Sequence, residues 1–329
     1  MRSVVALCSL LFACSGAETG TSGIKARVID LQGHRGARGL LPENTLMGFE
    51  GALAIGVTTL ELDVAMTADG VLVVSHDPEL SPELARLDGS YITQPVSLRS
   101  LTLDQVRRYD VGRIAPGTEY AARFPGQRGA DGVRIPTLDE VFELGERLSE
   151  RTIRYNVETK LDPNRGELTA SPEAMTAALI AAVEERGLTE RVTVQSFDWR
   201  SLAIARRQAP RLGRACLTTE QGDDTVKRGS PGASPWLGGI DVDDYPNLPA
   251  AVRAAGCTIW SPNHRDLDRS VVSRAQRAGL RVIPWTVNSR LEIAAILDLQ
   301  VDGVISDYPD RARDEMRARG MSLPGTFRP

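Results

Sequence analysis

The sequence predicts a parallel (β/α)8 barrel of the TIM type, with a small insertion after a hairpin on the second strand. Two observations predict it: β-rich runs alternate with helical patterns along most of the chain, and eight such runs form one series. The strand candidates are 27–31, 58–64, 153–159, 192–196, 213–217, 258–260, 281–287 and 303–306. Helical patterns over 137–149, 172–186, 199–208, 248–255, 270–278 and 290–299 fall between them. A doubly wound open sheet is the competing architecture, but no G-x-G-x-x-G follows the first strand.

Taken in order, the first strand brings His34 to its carboxyl end. Thr45 caps a short helix whose apolar Leu46, Phe49 and Leu53 share one face. Glu61 and Asp63 lie two apart on the second strand and so point to the same side. Asp69-Gly70 is a hairpin signal, with Val71 to Ser75 as the returning arm. Folding the chain back there sets His76 roughly opposite Glu61. Residues 78–136, rich in Pro, Gly, Arg and Asp, break the alternation and carry one short helical pattern, Leu103 to Arg108. They read as an insertion on the barrel rim. Glu158 and Lys160 end the third strand and Ser196 the fourth. A second long loop, Thr218 to Pro235, precedes Trp236 and the acidic, aromatic stretch Asp241 to Tyr245. Trp285 and Asp307 close the series.

The chain has 329 residues, 42% hydrophobic and 25% charged, enough for one large α/β domain with a sizeable core. A net charge of −4 without a basic block argues against nucleic acid as the main partner. Met1-Arg2 followed by the apolar run Val4 to Ala13 is too short to span a bilayer and predicts a signal peptide over residues 1–13. It resembles the bacterial lipoprotein signal, which implies a lipid on Cys14, a flexible tether over 14–23 and a barrel domain over 24–329. The expected location is therefore outside the cytoplasm, membrane-anchored or periplasmic. Cys8 leaves with the signal. Cys216 and Cys257 fall in strand-like runs and are expected as buried, inert thiols, although an oxidising compartment permits a bridge.

Strand ends of a parallel barrel point to one face, so His34, Glu61, Asp63, Glu158, Lys160, Ser196, Trp285 and Asp307 should converge there. Three carboxylates, Glu61, Asp63 and Glu158, suit a hard divalent cation, Ca²⁺ or Mg²⁺. Zinc fits less well because both His34 and His76 are wanted as general acid and base. Arg35 and Lys160 add the positive charge that an anionic substrate needs. Asp77 is placed to orient His76. Trp285 is expected to wall the substrate site. The plainer alternatives are an amphipathic strand with solvent-facing carboxylates, a simple Glu158–Lys160 pair, and a core role for Trp285. His264 belongs to no motif and is expected on the surface.

The ordered set G-H-R-G (Gly33 to Gly36), P-E-N-T (Pro42 to Thr45), E-L-D-V (Glu61 to Val64), D-G (Asp69, Gly70) and H-D (His76, Asp77) resembles the glycerophosphodiester phosphodiesterases. The resemblance resumes at Asn156 to Lys160, Ser196 to Asp198, Trp285 to Asn288 and Asp302 to Pro309, and so spans nearly the whole chain after its N-terminus. It implies that His34 and His76 are catalytic, that Glu61, Asp63 and Glu158 hold the metal, and that the insertion shapes the substrate entrance. The expected reaction is hydrolysis of a glycerophosphodiester to glycerol 3-phosphate and an alcohol. Rival expectations are a phospholipase D-like enzyme acting on intact lipid, and a catalytically silent barrel serving as a surface binding protein.

Overall fold

The computed structural model describes residues 28–222 and 224–327. The expected signal peptide, Cys14 and the expected tether lie outside the described residues. The chain opens with β1 (Asp30–Gly33), α1 (Leu46–Ile55), β2 (Thr59–Met66) and the returning arm β3 (Leu72–Val74). The insertion follows, with β4 (Glu79–Leu80), β5 (Arg86–Leu87), β6 (Ser90–Tyr91), β7 (Val96–Ser97), α2 (Leu103–Val106) and α3 (Glu119–Arg123). Alternation then resumes through α4 (Leu138–Leu148), β8 (Arg154–Thr159), α5 (Pro172–Glu185), β9 (Val192–Ser196), α6 (Trp199–Gln208) and β10 (Gly213–Thr218). The rest is α7 (Leu248–Ala254), β11 (Ile259–Pro262), α8 (Arg269–Arg277), β12 (Arg281–Val282), α9 (Arg290–Asp298), β13 (Gly303–Ser306) and α10 (Pro309–Ala318).

Eight parallel strands run in the order β12-β11-β10-β9-β8-β2-β1-β13, with β3 antiparallel on β2. Backbone bonds join the two ends of this path: Asp302 N–H to Val282 O at 2.8 Å, Ile305 N–H to Pro284 O at 3.0 Å and Val287 N–H to Ile305 O at 3.0 Å. The sequence-predicted barrel is therefore present, and it is closed. Its strands are buried on both faces, as parallel sheets require. Leu60, Leu62 and Val64 of β2 pack in the large core shared by barrel and helices. Inside the barrel, Ala215, Ile259, Ile283 and Ile305 form a separate apolar cluster. The opposite half of the interior is polar, with Gln32, Glu61, Asn156 and Gln195 all buried.

Local chemistry marks most element boundaries. Thr137 with Glu140 and Ser289 with Glu292 form capping boxes on α4 and α9, and Ser171 caps α5 with Pro172 in its first turn. Three expectations shift. β1 begins at Asp30 rather than at residue 27. The run 281–287 is a regular strand only at Arg281–Val282; beyond it Pro284 supplies no N–H, and the chain stays extended through single bonds such as Trp285 N–H to Pro262 O, 3.1 Å. Helices α3 and α10 were not expected, because α3 buries no residue and α10 buries only Pro309, Ala312 and Met316.

The insertion has its own small core, in which Leu80, Leu98, Val106, Tyr109 and Ile135 pack on Ala65 and Val73 of the hairpin. It is tied back to the barrel by Gln127 Nε2 donating to Arg38 O at 2.7 Å and by the Arg38 guanidinium lying 4.9 Å from the Phe124 ring centre.

The cysteine expectation is corrected. Cys216 on β10 and Cys257 at the entry to β11 form a disulfide, their Cα atoms 5.9 Å apart. Sequence separation hid what strand adjacency decides: β10 and β11 are neighbours, so the two side chains meet. Replacing both cysteines by serine should lower unfolding stability by about 2–4 kcal/mol. A denaturant titration of oxidised, reduced and serine forms checks this; identical midpoints would show that the bridge contributes nothing.

Candidate active site

The site is built from strand register. Asp63 on β2 pairs directly with Glu158 on β8, and Glu61 pairs with Asn156, so the inward carboxylates of two neighbouring strands meet. Glu61, Asp63 and Glu158 present ligand atoms all within 4.8 Å of one another, and all three residues are buried. Burial and the Asp63 charge push the Glu61 carboxyl well above its usual range. Burial also pushes Glu158 up to about 7, against the pull of Lys160. Burial acts on Asp63 in the same way, but Arg35, His76 and Lys160 overcome it and hold that carboxyl low.

The turn after β1 wraps this cluster. Arg35 and Gly36 take left-handed φ angles of 49° and 88°, and a Cβ on Gly36 would lie 2.6 Å from the Gly48 carbonyl carbon, so glycine is required there. The turn aims the Arg35 N–H at Glu61 Oε2, 2.9 Å away, and its guanidinium at Glu43 (3.0 Å) and Asp63 (3.3 Å). Asn44 Nδ2 donates to Asp63 Oδ2 at 2.9 Å. Lys160 Nζ donates to Glu158 at 2.7 Å and lies 3.7 Å from Asp63 Oδ1.

Each histidine carries its own aspartate. His34 Nδ1 lies 2.6 Å from Asp307 Oδ1, and Asp307 is gripped by Arg38 through two bonds of 2.8 and 3.0 Å and by Asn288 Nδ2 at 2.7 Å. With Nδ1–H spent on Asp307, the His34 Nε2 lone pair is turned toward the cluster, 3.9 Å from Glu61 Oε2. Burial, helped by Arg38 and Arg35 and opposed by Asp307, pushes His34 down to about 4, so it is neutral at pH 7. His76 follows the hairpin, whose Ser75 N–H donates to Asp63 O at 3.1 Å. Its Nδ1 lies 2.8 Å from Asp77 Oδ1 at the rim, where the side chain is about a third exposed.

A cavity of about 420 Å³ opens over the cluster, lined among others by His34, Arg35, Glu61, His76, Glu158 and Trp285. Asp63 lies in the buried cluster, and Lys160 faces an adjoining cavity of about 740 Å³. The structure thus brings together seven of the eight residues singled out in the sequence; Ser196 is the exception, buried on the other face of β9 with its hydroxyl bonded to Thr159, because strand parity turns Gln195 inward instead. Phe197 stands between the two cavities, its ring edge-on to Trp285 at 5.3 Å and to Trp236 at 6.3 Å. Trp285 lines both and packs against the apolar half of the barrel interior, so the wall and core readings both apply. His264 is half-buried, its Nε2 3.5 Å from Glu292.

Four further residues escaped the sequence reading. Gln195 Nε2 donates to Glu61 Oε1 at 2.6 Å. Strand parity would have found it, since V-T-V-Q-S-F turns residues 193, 195 and 197 to one side. Arg38 is one helical turn past His34 and shares its aspartate. Tyr120 and Arg123 come from α3 of the insertion and line the cavity; no sequence signal places them there.

The donor set fits a hard divalent cation. The three clustered ligand atoms are all carboxylate oxygens, and Asp63 Oδ1 is buried and accepts no hydrogen bond. Cation binding must displace the proton of Glu158, pushed up to about 7, and that of Glu61, also pushed up, so affinity for Mg²⁺ or Ca²⁺ should rise with pH through about 7. Calorimetric titrations across that range, in buffers of differing ionisation heat, report affinity and proton release together. A pH-independent affinity would place Glu158 outside the ligand set.

Fold and site define a (β/α)8-barrel hydrolase, with acid–base groups set beside an oxygen-donor cation site. The chain belongs to the glycerophosphoryl diester phosphodiesterase family, which it matches over residues 34–311. It is 32% identical over 289 residues to a glycerophosphodiester phosphodiesterase of Bacillus altitudinis, covering 86% of this chain and 98% of the relative. A Silicibacter pomeroyi crystal structure assigned to the same activity is 36% identical, with a TM-score of 0.80 over 90% of this chain and 96% of that one. An Oleispira antarctica phosphodiesterase, solved with the product sn-glycerol-3-phosphate, is 20% identical and shares the fold, with a TM-score of 0.63 over 88% and 96% of the two chains.

Proposed function

We propose that this enzyme hydrolyses glycerophosphodiesters to glycerol 3-phosphate and an alcohol, using one Mg²⁺ or Ca²⁺ held by Glu61, Asp63 and Glu158. The observation that carries this reading is the buried carboxylate triad flanked by two separate histidine–aspartate pairs. A divalent cation bound there supplies charge neutralisation at the phosphoryl oxygens and a lowered pKa for the attacking hydroxyl. Arg35 adds positive charge at the cavity wall, and Lys160 adds it beside the cluster. The neutral His34, oriented by Asp307, takes the proton of the substrate's 2-hydroxyl, which is already tethered near phosphorus. His76, which lines both cavities, is held neutral in the free enzyme by burial, Arg35 and Lys160; it takes up a proton together with the anionic substrate and gives it to the leaving alcohol. The alcohol occupies the larger compartment walled by Phe197, Trp236 and Trp285. Water then opens the cyclic phosphate, with the two histidines exchanging roles.

In a release assay with glycerophosphocholine and a divalent cation, His34→Ala and His76→Ala should each lose roughly 10²–10⁴ in rate. An intact phospholipid run alongside stays uncleaved. Equal rates on the parent diester and its 2-deoxy analogue would eliminate the cyclic route in favour of direct attack by water.

The chain is further proposed to act outside the cytoplasm, anchored through a lipid on Cys14. Support comes from the apolar run Val4 to Ala13 and from the Cys216–Cys257 disulfide, which suits an oxidising compartment. Among the described residues no helix is long and apolar enough to cross a membrane. Cys14→Ser should move the protein from the membrane fraction to the soluble one or leave it uncleaved; a wild-type protein already soluble would contradict the anchor.

A further inference from the structure

A chain of buried amides crosses the barrel interior. Gln195 on β9 donates from Nε2 to Glu61 Oε1 at 2.6 Å. Its own Oε1 accepts from Asn156 Nδ2 at 2.8 Å, and the same Nδ2 donates to Gln32 Oε1, also at 2.8 Å. Gln32 Nε2 donates to Asp30 Oδ2 at 3.3 Å. Asp30 lies at the amino-terminal end of β1, where Thr58, Thr59, Arg154 and Arg281 surround its carboxylate at 2.7–3.1 Å. Glu61, Gln195, Asn156, Gln32 and Asp30 are each at most 4% exposed.

Sheet adjacency does not produce this path. β9 and β2 are separated by β8, and β8 and β1 by β2, so the Gln195–Glu61 and Asn156–Gln32 bonds each pass over an intervening strand. The direction of every bond is dictated from the two ends. A carboxylate can only accept, as Asp30 does among its cationic neighbours and as Glu61 does when it holds a cation, so each glutamine must turn its NH2 outward, to Asp30 on one side and Glu61 on the other. Both glutamine oxygens then face inward, and only an NH2 group fits between them. Asn156 supplies it and leaves its own Oδ1 buried without a partner. An asparagine that gives up its acceptor to donate twice is placed for the chain, since a buried unpaired oxygen is otherwise unfavourable.

We infer that Gln195, Asn156 and Gln32 are positioning residues that hold Glu61 in its metal-binding orientation from the floor of the barrel. Gln195 occupies Oε1 of Glu61 and the Arg35 N–H occupies Oε2, so donors on opposite oxygens fix the carboxylate plane. Groups behind a ligand in this way typically govern metal affinity by about 10–100-fold. The inference rests on the cation site proposed above, and it extends that site through three amides, of which Asn156 and Gln32 line neither of the two cavities.

The test is isothermal calorimetry of Mg²⁺ and Ca²⁺ with the full chain, with the melting temperature measured on each variant. Gln195→Met should weaken binding by about 10–100-fold. Asn156→Leu and Gln32→Met, further along the chain, should weaken it by a few-fold or more in that order. Ile283→Val, in the apolar half of the interior, is the control: it should lower the melting temperature with metal affinity unchanged. Folded Asn156→Leu and Gln32→Met proteins that bind both ions like wild type would overturn the inference, as would a Gln195→Met that does so. Should Asn156→Leu fail to fold, Gln32→Met alone decides, because no metal ligand lies within two residues of it on β1. A wild-type protein that binds neither ion would instead remove the cation site itself, an outcome distinct from variants that match a metal-binding wild type.

Discussion

Three carboxylates packed within 4.8 Å of one another in a buried cluster are the constraint on which the site depends. Burial first, and then the repulsion of like charges, suppresses the acidity of two of the three. The surrounding structure counters that repulsion without cancelling it. Arg35 and Lys160 bring positive charge, Asn44, Gln195 and a backbone N–H bring donors, and one oxygen of Asp63 is still left without a hydrogen bond. What remains uncompensated is the electrostatic demand for a cation.

The barrel makes such a cluster tolerable. Its register sets Asp63 beside Glu158, while the helices outside bury Leu60, Leu62 and Val64 on the other face of the same strand. The interior is divided: an isoleucine-rich half under Trp285 provides packing, and an amide-filled half provides directed donors. An apolar interior throughout would leave Glu61 with no donor on Oε1. A polar one throughout would lack the close-packed layer that keeps the strands in place.

Above the barrel, function is assembled from parts far apart in sequence. His34 meets Asp307 across a separation of 273 residues, and Arg38 bridges that pair to the insertion through its contact with Phe124. Two cavities meet at Phe197, Trp285 and His76, which separates the carboxylate cluster from the larger aromatic-walled compartment. A reaction that divides a diester into two unlike halves needs such a division of space.

The sequence by itself determined the barrel, the order of its eight strands, most of the capped helices and seven of the residues that gather at one end. These are legible because period-2 and period-3.6 patterns, capping boxes and strand ends are local properties, and parallel βα alternation has few topological solutions. Glu61 and Asp63 face the same way by parity alone, and Thr45 announces α1 by its own side chain. Only the tertiary structure decided which residues meet across the barrel. The Cys216–Cys257 bridge depends on β10 lying beside β11, the His34–Asp307 pair on closure of β1 against β13, and the Asn156–Gln32 and Gln195–Glu61 bonds on side chains passing over an intervening strand. Helix α3 buries too little to show in a periodicity, yet it carries Tyr120 and Arg123 to the cavity. Contacts of this kind are set by shear and closure of the whole sheet, and no stretch of sequence encodes them alone.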